Sequence, residues 1–158
     1  MNLIVAVDEN WAIGKGGDQL VYISEDLKRF KALTLGHPVI LGRKTLATFP
    51  GGRPLKGRAN LILSATPGYQ VEGAQVCPDL DSLLAVAPED AFVIGGESVY
   101  RALLPHCDTA YVTKLHAAYP ADRYFPNLDE DLAWTVSEES PVLEQDGLKF
   151  HYVTYTRK

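Results

Sequence analysis

The chain has little of what marks several large classes of protein. Its 158 residues include only two cysteines, Cys77 and Cys107, which lie far apart and lack metal-ligand spacing. This count excludes a disulfide scaffold and predicts free thiols in a reducing cytoplasm. The four histidines share no spacing either, so no metal site is expected.

Basic stripes and long hydrophobic runs are absent as well. Lysine and arginine are scattered and the formal net charge is −5, which disfavours nucleic acid as a partner. No apolar run reaches membrane-spanning length, and the N-terminal residues do not form a signal-peptide pattern. We therefore expect a cytoplasmic protein that binds neither nucleic acid nor membranes.

What is present is the patterning of one α/β domain. Hydrophobic residues make up 46% of the chain, and its length predicts a single domain over residues 1–158. Apolar runs that alternate with helical patterns indicate a mixed, mostly parallel sheet flanked by helices. The predicted strands of this part are 3–7, 39–41, 60–63, 75–76, 91–94 and 109–115. Segments 134–137 and 149–155 flank Asp146-Gly147 and predict an antiparallel C-terminal pair.

The helix predicted from Ser24 to near Leu35 carries an acid among apolar residues. At about 100° per residue, its apolar stripe consists of Ile23, Leu27, Phe30, Leu33 and Thr34. Asp26 lies within this stripe. Burial disfavours the charged form of a carboxyl group and raises its pKa, which suits the group to proton transfer near neutral pH. The alternative is structural, because Ser24 resembles an N-cap and an acid at Asp26 would then complement the helix dipole.

The same helix predicts ion pairs on its other face. Glu25, Lys28 and Arg29 lie away from the apolar stripe. At i+3 and i+4, Glu25 can pair with both cations. We therefore expect all three side chains on the solvent side.

Two glycine turns each follow a predicted strand and precede a predicted helix. Gly42-Arg43-Lys44-Thr45 offers a helix N terminus and two cations to a phosphate, and Gly95-Gly96 lets the backbone approach a ligand closely. Singly, each is compatible with an ordinary turn or a solvated helix start, and neither is a dinucleotide or Walker fingerprint. Ligands of such sheets bind beyond the carboxyl ends of strands. Together the turns and the acid favour a dinucleotide plus a second ligand.

The order and spacing of these motifs resemble bacterial dihydrofolate reductase from end to end. The matching residues are Leu3-Ile4-Val5-Ala6-Val7 with Trp11-Ala12-Ile13-Gly14, Asp26-Leu27 with Phe30-Lys31, Pro38 to Thr45, Gly52-Arg53-Pro54-Leu55 with Arg58, Ile94-Gly95-Gly96 with Tyr100, and Tyr111-Val112-Thr113. The resemblance implies that family's fold and an oxidoreductase that reduces 7,8-dihydrofolate to 5,6,7,8-tetrahydrofolate with NADPH. Hydride would go to pterin C6 and a proton to N5. It also implies a monomer, a role in one-carbon metabolism and binding of folate-analogue inhibitors.

On the substrate side the resemblance implies a role for each matching residue. Asp26 matches the catalytic carboxylate that pairs with the pterin and promotes N5 protonation, and Thr113 matches the hydroxyl that supports this acid and the pterin amino group. Arg58 matches the arginine that grips the α-carboxylate of the glutamate tail. The other substrate-binding matches, mostly apolar walls, are Ile4, Val5, Ala6, Leu27, Phe30, Phe49, Arg53, Leu55 and Ile94.

On the cofactor side the resemblance implies an NADPH site. Its adenosine-phosphate region is matched by Arg43, Lys44, Thr45 and Ser64, and a guanidinium near the 2′-phosphate favours NADPH over NADH. Gly95-Gly96 matches a cis Gly–Gly bond beside the nicotinamide and pyrophosphate. The other cofactor-binding matches are Ala6, Ile13, Gly14, Gly42, Leu63, Ala65, Glu97, Ser98, Val99 and Tyr100.

Residues 8–22 read as a long loop, which is usually functional. They match the mobile loop that closes over the cofactor, and Asp122 matches an acid that supports the closed state. The chain departs from the family where Leu20-Val21-Tyr22 replaces the usual Leu-Pro-Trp. Val21 cannot donate a hydrogen bond, so the water arrangement beside the pterin is expected to differ.

Two other functions compete with this one. One is the pyrimidine reductase domain of riboflavin synthesis, which has the same fold but is disfavoured by Asp26 in the apolar stripe and by Arg58. The other is a folate- or nucleotide-binding module without catalysis, which is disfavoured by the Asp26 and Thr113 pair. Comparing turnover of dihydrofolate with turnover of the ribosylamino-pyrimidine distinguishes the two reductases. NADPH consumption with dihydrofolate distinguishes the enzyme from a binding module without catalysis.

Overall fold

The computed structural model describes residues 1–158 and contains two sheets and four α-helices. The strands are β1 (Asn2–Val7), β2 (Ala12–Lys15), β3 (Asp18–Gln19), β4 (Val39–Gly42), β5 (Asn60–Leu63), β6 (Ala74–Cys77), β7 (Phe92–Gly95), β8 (Thr109–Leu115), β9 (Arg123–Tyr124), β10 (Trp134–Glu139), β11 (Leu143–Gln145) and β12 (Leu148–Arg157). The helices are α1 (Ser24–Thr34), α2 (Arg43–Leu46), α3 (Leu80–Val86) and α4 (Glu97–Leu103), with 3-10 turns at Pro50–Gly52 and Leu104–His106. None of the helices has the length and apolarity needed to cross a membrane.

The main sheet is mixed and mostly parallel, which confirms the predicted α/β architecture. Its strand order is β10-β12-β8-β1-β7-β4-β5-β6. β12 is antiparallel to β8, and β10 is antiparallel to β12. The Asp146-Gly147 turn joins β12 to the short strand β11, which also pairs with β12. The predicted antiparallel pair therefore exists, but its turn belongs to an additional strand between its members.

Both faces of the central parallel strands are buried, which explains their continuous apolar runs. Alternate side chains of a strand point to opposite faces. Leu3, Val5 and Val7 of β1 pack in a cluster of 21 buried residues that includes side chains of α3 and α4. Ile4 belongs to a second cluster, against which Phe30 of α1 packs. The helix α1 therefore covers one face of the sheet, and α3 and α4 cover the other.

Residues 8–22 contain more regular structure than their composition predicts. The expectation of a long loop is wrong here, because β2 pairs antiparallel with both β3 and β9 in a small second sheet. Glycine and aspartate correctly indicate turns in this segment. The pairing with β9 depends on a segment that is distant in sequence, so the local pattern contains no sign of it.

The N terminus of α1 is capped differently from the prediction. Ile23 is the N-cap residue and supplies no capping side chain, so the expectation that Ser24 caps the helix is wrong. Gln145 of β11 serves this helix end instead. Its Oε1 accepts from the Glu25 backbone N–H at 3.1 Å, and its Nε2 donates to Ser24 Oγ at 2.6 Å. Asp26 remains in the first turn of α1, one position later than predicted.

Candidate active site

The carboxyl group of Asp26 lies where α1 meets β8. Thr113 Oγ1 donates a hydrogen bond of 2.6 Å to Asp26 Oδ1. Thr113 is 2% exposed and pairs in register with Ala6 of β1. Asp26 is half-buried. The two residues predicted to act as a pair are therefore in direct contact beside the central strands.

Burial dominates the ionisation of Asp26. Loss of solvation raises its pKa above the ordinary value of 3.8, while the Thr113 hydrogen bond and the positive charge of Arg29 lower it to a smaller extent. The net effect is a raised pKa. Such a carboxyl group exchanges its proton closer to neutral pH than an exposed aspartate does.

Apolar side chains border Asp26 on the same face of the sheet. Ile4 is 8% exposed and belongs to the second cluster. Partly buried neighbours that pack against this cluster include Phe30, Leu33, Phe49, Leu55, Ile94 and Tyr111. Leu27, which follows Asp26 on α1, is 44% exposed. An open apolar side chain beside a half-buried acid suits contact with a flat, largely apolar ligand.

One predicted wall residue faces the other way. Val5 packs in the larger cluster, so its side chain lies on the sheet face that α3 and α4 cover. Only the main chain of Val5 can border the face that carries Asp26. The period-two alternation of β1 therefore separates Val5 from its neighbours Ile4 and Ala6.

Arg58 lies at the other end of the apolar face. Its Nη1 donates to Thr34 Oγ1 at 3.0 Å, and its Nε donates to the Lys56 carbonyl at 2.9 Å. Thr34 is about 12 Å further along the axis of α1 than Asp26. The two hydrogen bonds fix the plane of the Arg58 guanidinium and leave its Nη2 without a partner in the protein. Arg53, in the same loop, is exposed. A planar cation held in this way suits recognition of a carboxylate.

The two glycine turns are neighbours because β4 and β7 are adjacent parallel strands. A Cβ atom added to Gly95 or Gly96 would lie 3.3 or 3.2 Å from Thr45 Oγ1, and one added to Gly42 would lie 3.1 Å from Val99 Cγ2. Gly95 also has a φ of 138°, a conformation that favours glycine. The peptide bond between Gly95 and Gly96 is cis, as the resemblance implied.

Cations and hydroxyls lie at the carboxyl ends of β4 and β5. Arg43 and Lys44 are exposed at the start of α2 and take no part in the ion pairs of the chain. Gly42 pairs with Leu63 across these strands. Ser64 and Ala65 then line a pocket of about 530 Å³. The residues predicted to bind the adenosine phosphates therefore lie at the carboxyl ends of the adjacent strands β4 and β5.

Known proteins that resemble this chain share one activity in their names. The family model described as dihydrofolate reductase matches residues 1–157. The dihydrofolate reductase of Bacillus subtilis is 36% identical over 162 residues, covering 100% of this chain and 95% of its own length. Dihydrofolate reductase type 3 of Salmonella typhimurium is 38% identical over 164 residues, covering 100% and 98%.

The chain belongs to the dihydrofolate reductase family. A solved structure of the dihydrofolate reductase from Enterococcus faecalis, complexed with NADP(H) and RAB-propyl, has a TM-score of 0.88 and 34% identity to it, covering 99% of this chain and 95% of that one. The reaction of this family is the NADPH-dependent reduction of 7,8-dihydrofolate. The chain is accordingly an NADP-dependent oxidoreductase.

Tyr100 connects the glycine turn to β1. Its hydroxyl donates to the Ile4 carbonyl at 2.7 Å, and burial raises its pKa, which keeps the hydroxyl protonated as a donor. Glu97, at the start of α4, accepts from the Tyr124 backbone N–H at 2.6 Å. Val99 is buried and Ser98 is exposed on the same helix. The first turn of α4 is thus tied to both β1 and β9.

The small second sheet reaches the same part of the enzyme. Asp122 Oδ2 accepts from the Gly16 backbone N–H at 3.0 Å, so the predicted partner of the 8–22 segment contacts it. Ile13 and Gly14 lie on β2, and a Cβ atom on Gly14 would lie 2.7 Å from the Asp18 carbonyl oxygen. Tyr22, which replaces the usual tryptophan, donates its hydroxyl to the Asp18 carboxylate. Tyr22, at the end of residues 8–22, is therefore hydrogen-bonded to β3.

The sequence did not predict the contact between Arg29 and Tyr152. Lys28 pairs with Glu25 at 3.4 Å as expected, but the predicted pair between Glu25 and Arg29 is wrong. The Arg29 guanidinium lies 3.9 Å from the centre of the Tyr152 ring. The i+3 spacing from Asp26 was the available signal, because it places Arg29 beside the acid on the helix.

Proposed function

We propose that Asp26 controls protonation of pterin N5 while this enzyme reduces 7,8-dihydrofolate to 5,6,7,8-tetrahydrofolate. One observation carries the proposal. A half-buried carboxyl group with a raised pKa is held at 2.6 Å by the hydroxyl of buried Thr113, on an apolar face of the sheet. NADPH, when bound, supplies the hydride for pterin C6.

Asp26 binds and polarises the pterin. Its carboxylate accepts N–H groups from the pterin amino group and the adjacent ring nitrogen. Thr113 Oγ1 donates to Asp26 and keeps lone pairs that accept from the same amino group. Because the surroundings of Asp26 are only partly solvated, its negative charge acts strongly on the ring. That charge favours a proton on N5 at the time of hydride transfer.

Arg58 and the apolar face orient the substrate. The Arg58 guanidinium, fixed by Thr34 and the Lys56 carbonyl, binds the α-carboxylate of the glutamate tail. Leu27, Phe30 and the other apolar side chains of the site contact the pterin and benzoyl rings. Folate-analogue inhibitors bind to the same face, because they present similar rings and a similar tail.

The residues of the cofactor region fit NADPH. Close packing at Gly42, Gly95 and Gly96 leaves backbone rather than side chains at the ends of β4 and β7, where a pyrophosphate can approach. Arg43 has no carboxylate partner in the protein and binds the 2′-phosphate that distinguishes NADPH from NADH. The hydrogen bond from the Gly16 N–H to Asp122 joins the ends of β2 and β9 within the second sheet. We expect this sheet to close over the bound cofactor and exclude water.

The proposal extends to a monomer in the cytoplasm. The family resemblance favours a single polypeptide as the active unit. Both cysteines are buried and unpaired, which agrees with a reducing compartment. Size-exclusion chromatography with light scattering at micromolar concentration tests the oligomeric state.

The deciding experiment is a pH profile of hydride transfer for the wild type and for Asp26→Asn. Stopped-flow measurement with NADPH and dihydrofolate should show a loss of about 10²–10⁴-fold at neutral pH, the usual size of a general acid–base contribution. NADPH affinity should stay within about twofold, since Asp26 lies outside the predicted cofactor residues. Glu25→Gln, an exposed acid one position earlier, should behave as the wild type. An Asp26→Asn enzyme that keeps its rate at neutral pH rejects the proposal.

A further inference from the structure

Arg29 lies near Asp26, and contacts with Thr113 and Tyr152 join these two residues of α1 to β8 and β12. It follows Asp26 by one turn on α1, so the two side chains are neighbours on the helix surface. Its guanidinium covers the ring of Tyr152 at 3.9 Å. Tyr152 of β12 is the direct strand partner of Thr113 of β8, and Thr113 donates to Asp26. Arg29 therefore contacts the same two-strand platform that holds the catalytic carboxyl group.

The Arg29 guanidinium is poorly neutralised where it lies. Its Nη1 is buried and has no hydrogen-bond partner, and no carboxylate lies within ion-pair distance of the group. Burial lowers its pKa, which Tyr152, Asp26 and Tyr111 partly oppose, but a guanidinium stays protonated in proteins. The charge therefore acts on Asp26 through space, across a region where solvent screening is reduced.

The other ionisable groups around this arrangement do not replace Arg29. Tyr100 of α4 and Tyr152 both have raised pKa values because of burial, so both are uncharged at neutral pH, and Tyr111 of β8 is the remaining phenol near Arg29. Glu138 and Glu139 of β10 share with Arg29 a pocket of about 440 Å³. Both glutamates are exposed, so solvent screens their electrostatic attraction to Arg29. Glu139 also contacts His151 at 2.9 Å, which further weakens its attraction to Arg29.

We propose that Arg29 is a positioning residue of the reaction. Stacked on the Tyr152 ring, the Arg29 guanidinium favours the carboxylate form of Asp26 and so sets the pH range in which the enzyme works. This inference rests on the role proposed above for Asp26. Arg29 does not touch the substrate. It acts through the ionisation of Asp26, and Tyr152 fixes its distance from that group.

Three variants separate charge from packing. Arg29→Met removes the charge and keeps an unbranched side chain over Tyr152. Arg29→Lys keeps the charge and loses the planar stack. Lys28→Met is the matched control, because it removes a cation from the adjacent position, where the side chain is 74% exposed and pairs with Glu25.

The first measurement is an NMR titration of the Asp26 carboxyl carbon in ligand-free protein labelled with ¹³C-aspartate. Comparison with Asp26→Asn identifies the resonance. Arg29→Met should raise the Asp26 pKa by about half a unit or more, as expected for loss of one charge a helical turn away in a partly solvated site. Arg29→Lys should recover most of the wild-type value, and Lys28→Met should move it by less than about 0.2 unit, because solvent screens an exposed cation.

The second measurement is the pH profile of hydride transfer for the same variants. The limb that depends on Asp26 should move upward in Arg29→Met by the same amount as the NMR titration, with unchanged NADPH affinity. An Asp26 titration that is identical in the wild type and Arg29→Met overturns the inference, as does an equal shift in Lys28→Met. This failure differs from failure of the proposed function, which would appear as full activity in Asp26→Asn.

Discussion

Asp26 is costly to the fold in its ionised form. Burial raises its pKa in the folded state above the ordinary value of 3.8 that applies in the unfolded chain. A carboxyl group shifted in this direction favours the folded state fully at pH values below the unfolded pKa. That contribution is lost as the pH rises through the raised folded pKa. At neutral pH the ionised group therefore lowers the free energy of unfolding relative to a neutral side chain of the same shape.

Asp26→Asn should consequently stabilise the protein at pH 7 by about 0.5–2 kcal/mol, the usual gain from a single stabilising substitution. The amide oxygen can still accept the Thr113 hydroxyl, so the change removes the charge and keeps the bond. Urea unfolding at pH 7 and near pH 4 measures the effect, which should shrink at the lower pH. A variant less stable than the wild type at pH 7 would show that Thr113 and Arg29 more than offset the burial of the carboxylate.

Arg58 offers a test of substrate recognition at a single side chain. Arg58→Ala should weaken dihydrofolate binding by about 10–100-fold, since hydrogen bonds to a charged group contribute about 1.5–3 kcal/mol. A pterin without the glutamate tail should bind equally well to the variant and the wild type. Fluorescence titration with both ligands gives the comparison, and Lys56→Ala removes an exposed cation of the same loop as the control. Equal losses for the two ligands would reject the carboxylate contact.

At the scale of elements, Asp8 ties the first strand to the second sheet. It follows β1, is 3% exposed, and accepts three backbone hydrogen bonds. Oδ1 accepts from the N–H groups of Asn10 and Ala12 at 2.8 and 2.9 Å, and Oδ2 accepts from Tyr119 at 2.9 Å. The start of β2 and the segment before β9 are thus held by one side chain.

Asp8→Ala should lower the free energy of unfolding by about 2–4 kcal/mol, because each buried donor left without an acceptor costs about 1–3 kcal/mol and some regain water. Asp8→Asn should cost less, because the amide keeps one acceptor for Asn10 and Ala12. Urea unfolding gives the values, and amide exchange should accelerate at Asn10, Ala12 and Tyr119. Glu9→Ala changes the exposed neighbouring acid and should be nearly neutral. A cost below about 1 kcal/mol for Asp8→Ala would mean that solvent replaces all three bonds.

At the scale of the whole molecule, the parallel sheet places the predicted cofactor-binding residues at the carboxyl ends of adjacent strands. The ends of β4, β5 and β7 are adjacent because these strands are neighbours in the sheet. Thr113 of β8 lies on the far side of β1 from β7, so the acid and the glycine turns are separated by the central strand. A ligand that contacts both regions binds only when β7, β1 and β8 are correctly paired. Its binding therefore stabilises the folded sheet.

NADPH at about 100 times its Kd should raise Tm by about 5–10 °C, from a stabilisation of about 2.7 kcal/mol and about 2–4 °C per kcal/mol for a chain of this size. NADH at the same concentration should produce a smaller shift. In Arg43→Ala the NADPH shift should fall towards the NADH value, because the 2′-phosphate loses its cation. Arg58→Ala should leave the NADPH shift unchanged. A preference for NADPH that survives Arg43→Ala would place the 2′-phosphate elsewhere.

Sequence reasoning succeeded where a property is local. Continuous apolar runs predicted the central strands, since a strand buried on both faces needs apolar residues at every position. The spacing of Asp26 among apolar residues predicted an acid on the buried side of α1. Resemblance to the family then implied the partnership of Asp26 with Thr113, which no local pattern contains.

The sequence by itself therefore determined the strands, the class of fold and the place of Asp26 among the apolar residues of α1, because each depends on the periodicity of neighbouring residues. Only the tertiary structure decided which distant segments meet. It placed Arg29 on Tyr152, Gln145 at the start of α1, β9 beside β2, and the Val5 side chain on the face opposite Asp26. These contacts follow from the order and register of strands far apart in the chain, which the hydrophobic pattern of any one segment does not specify.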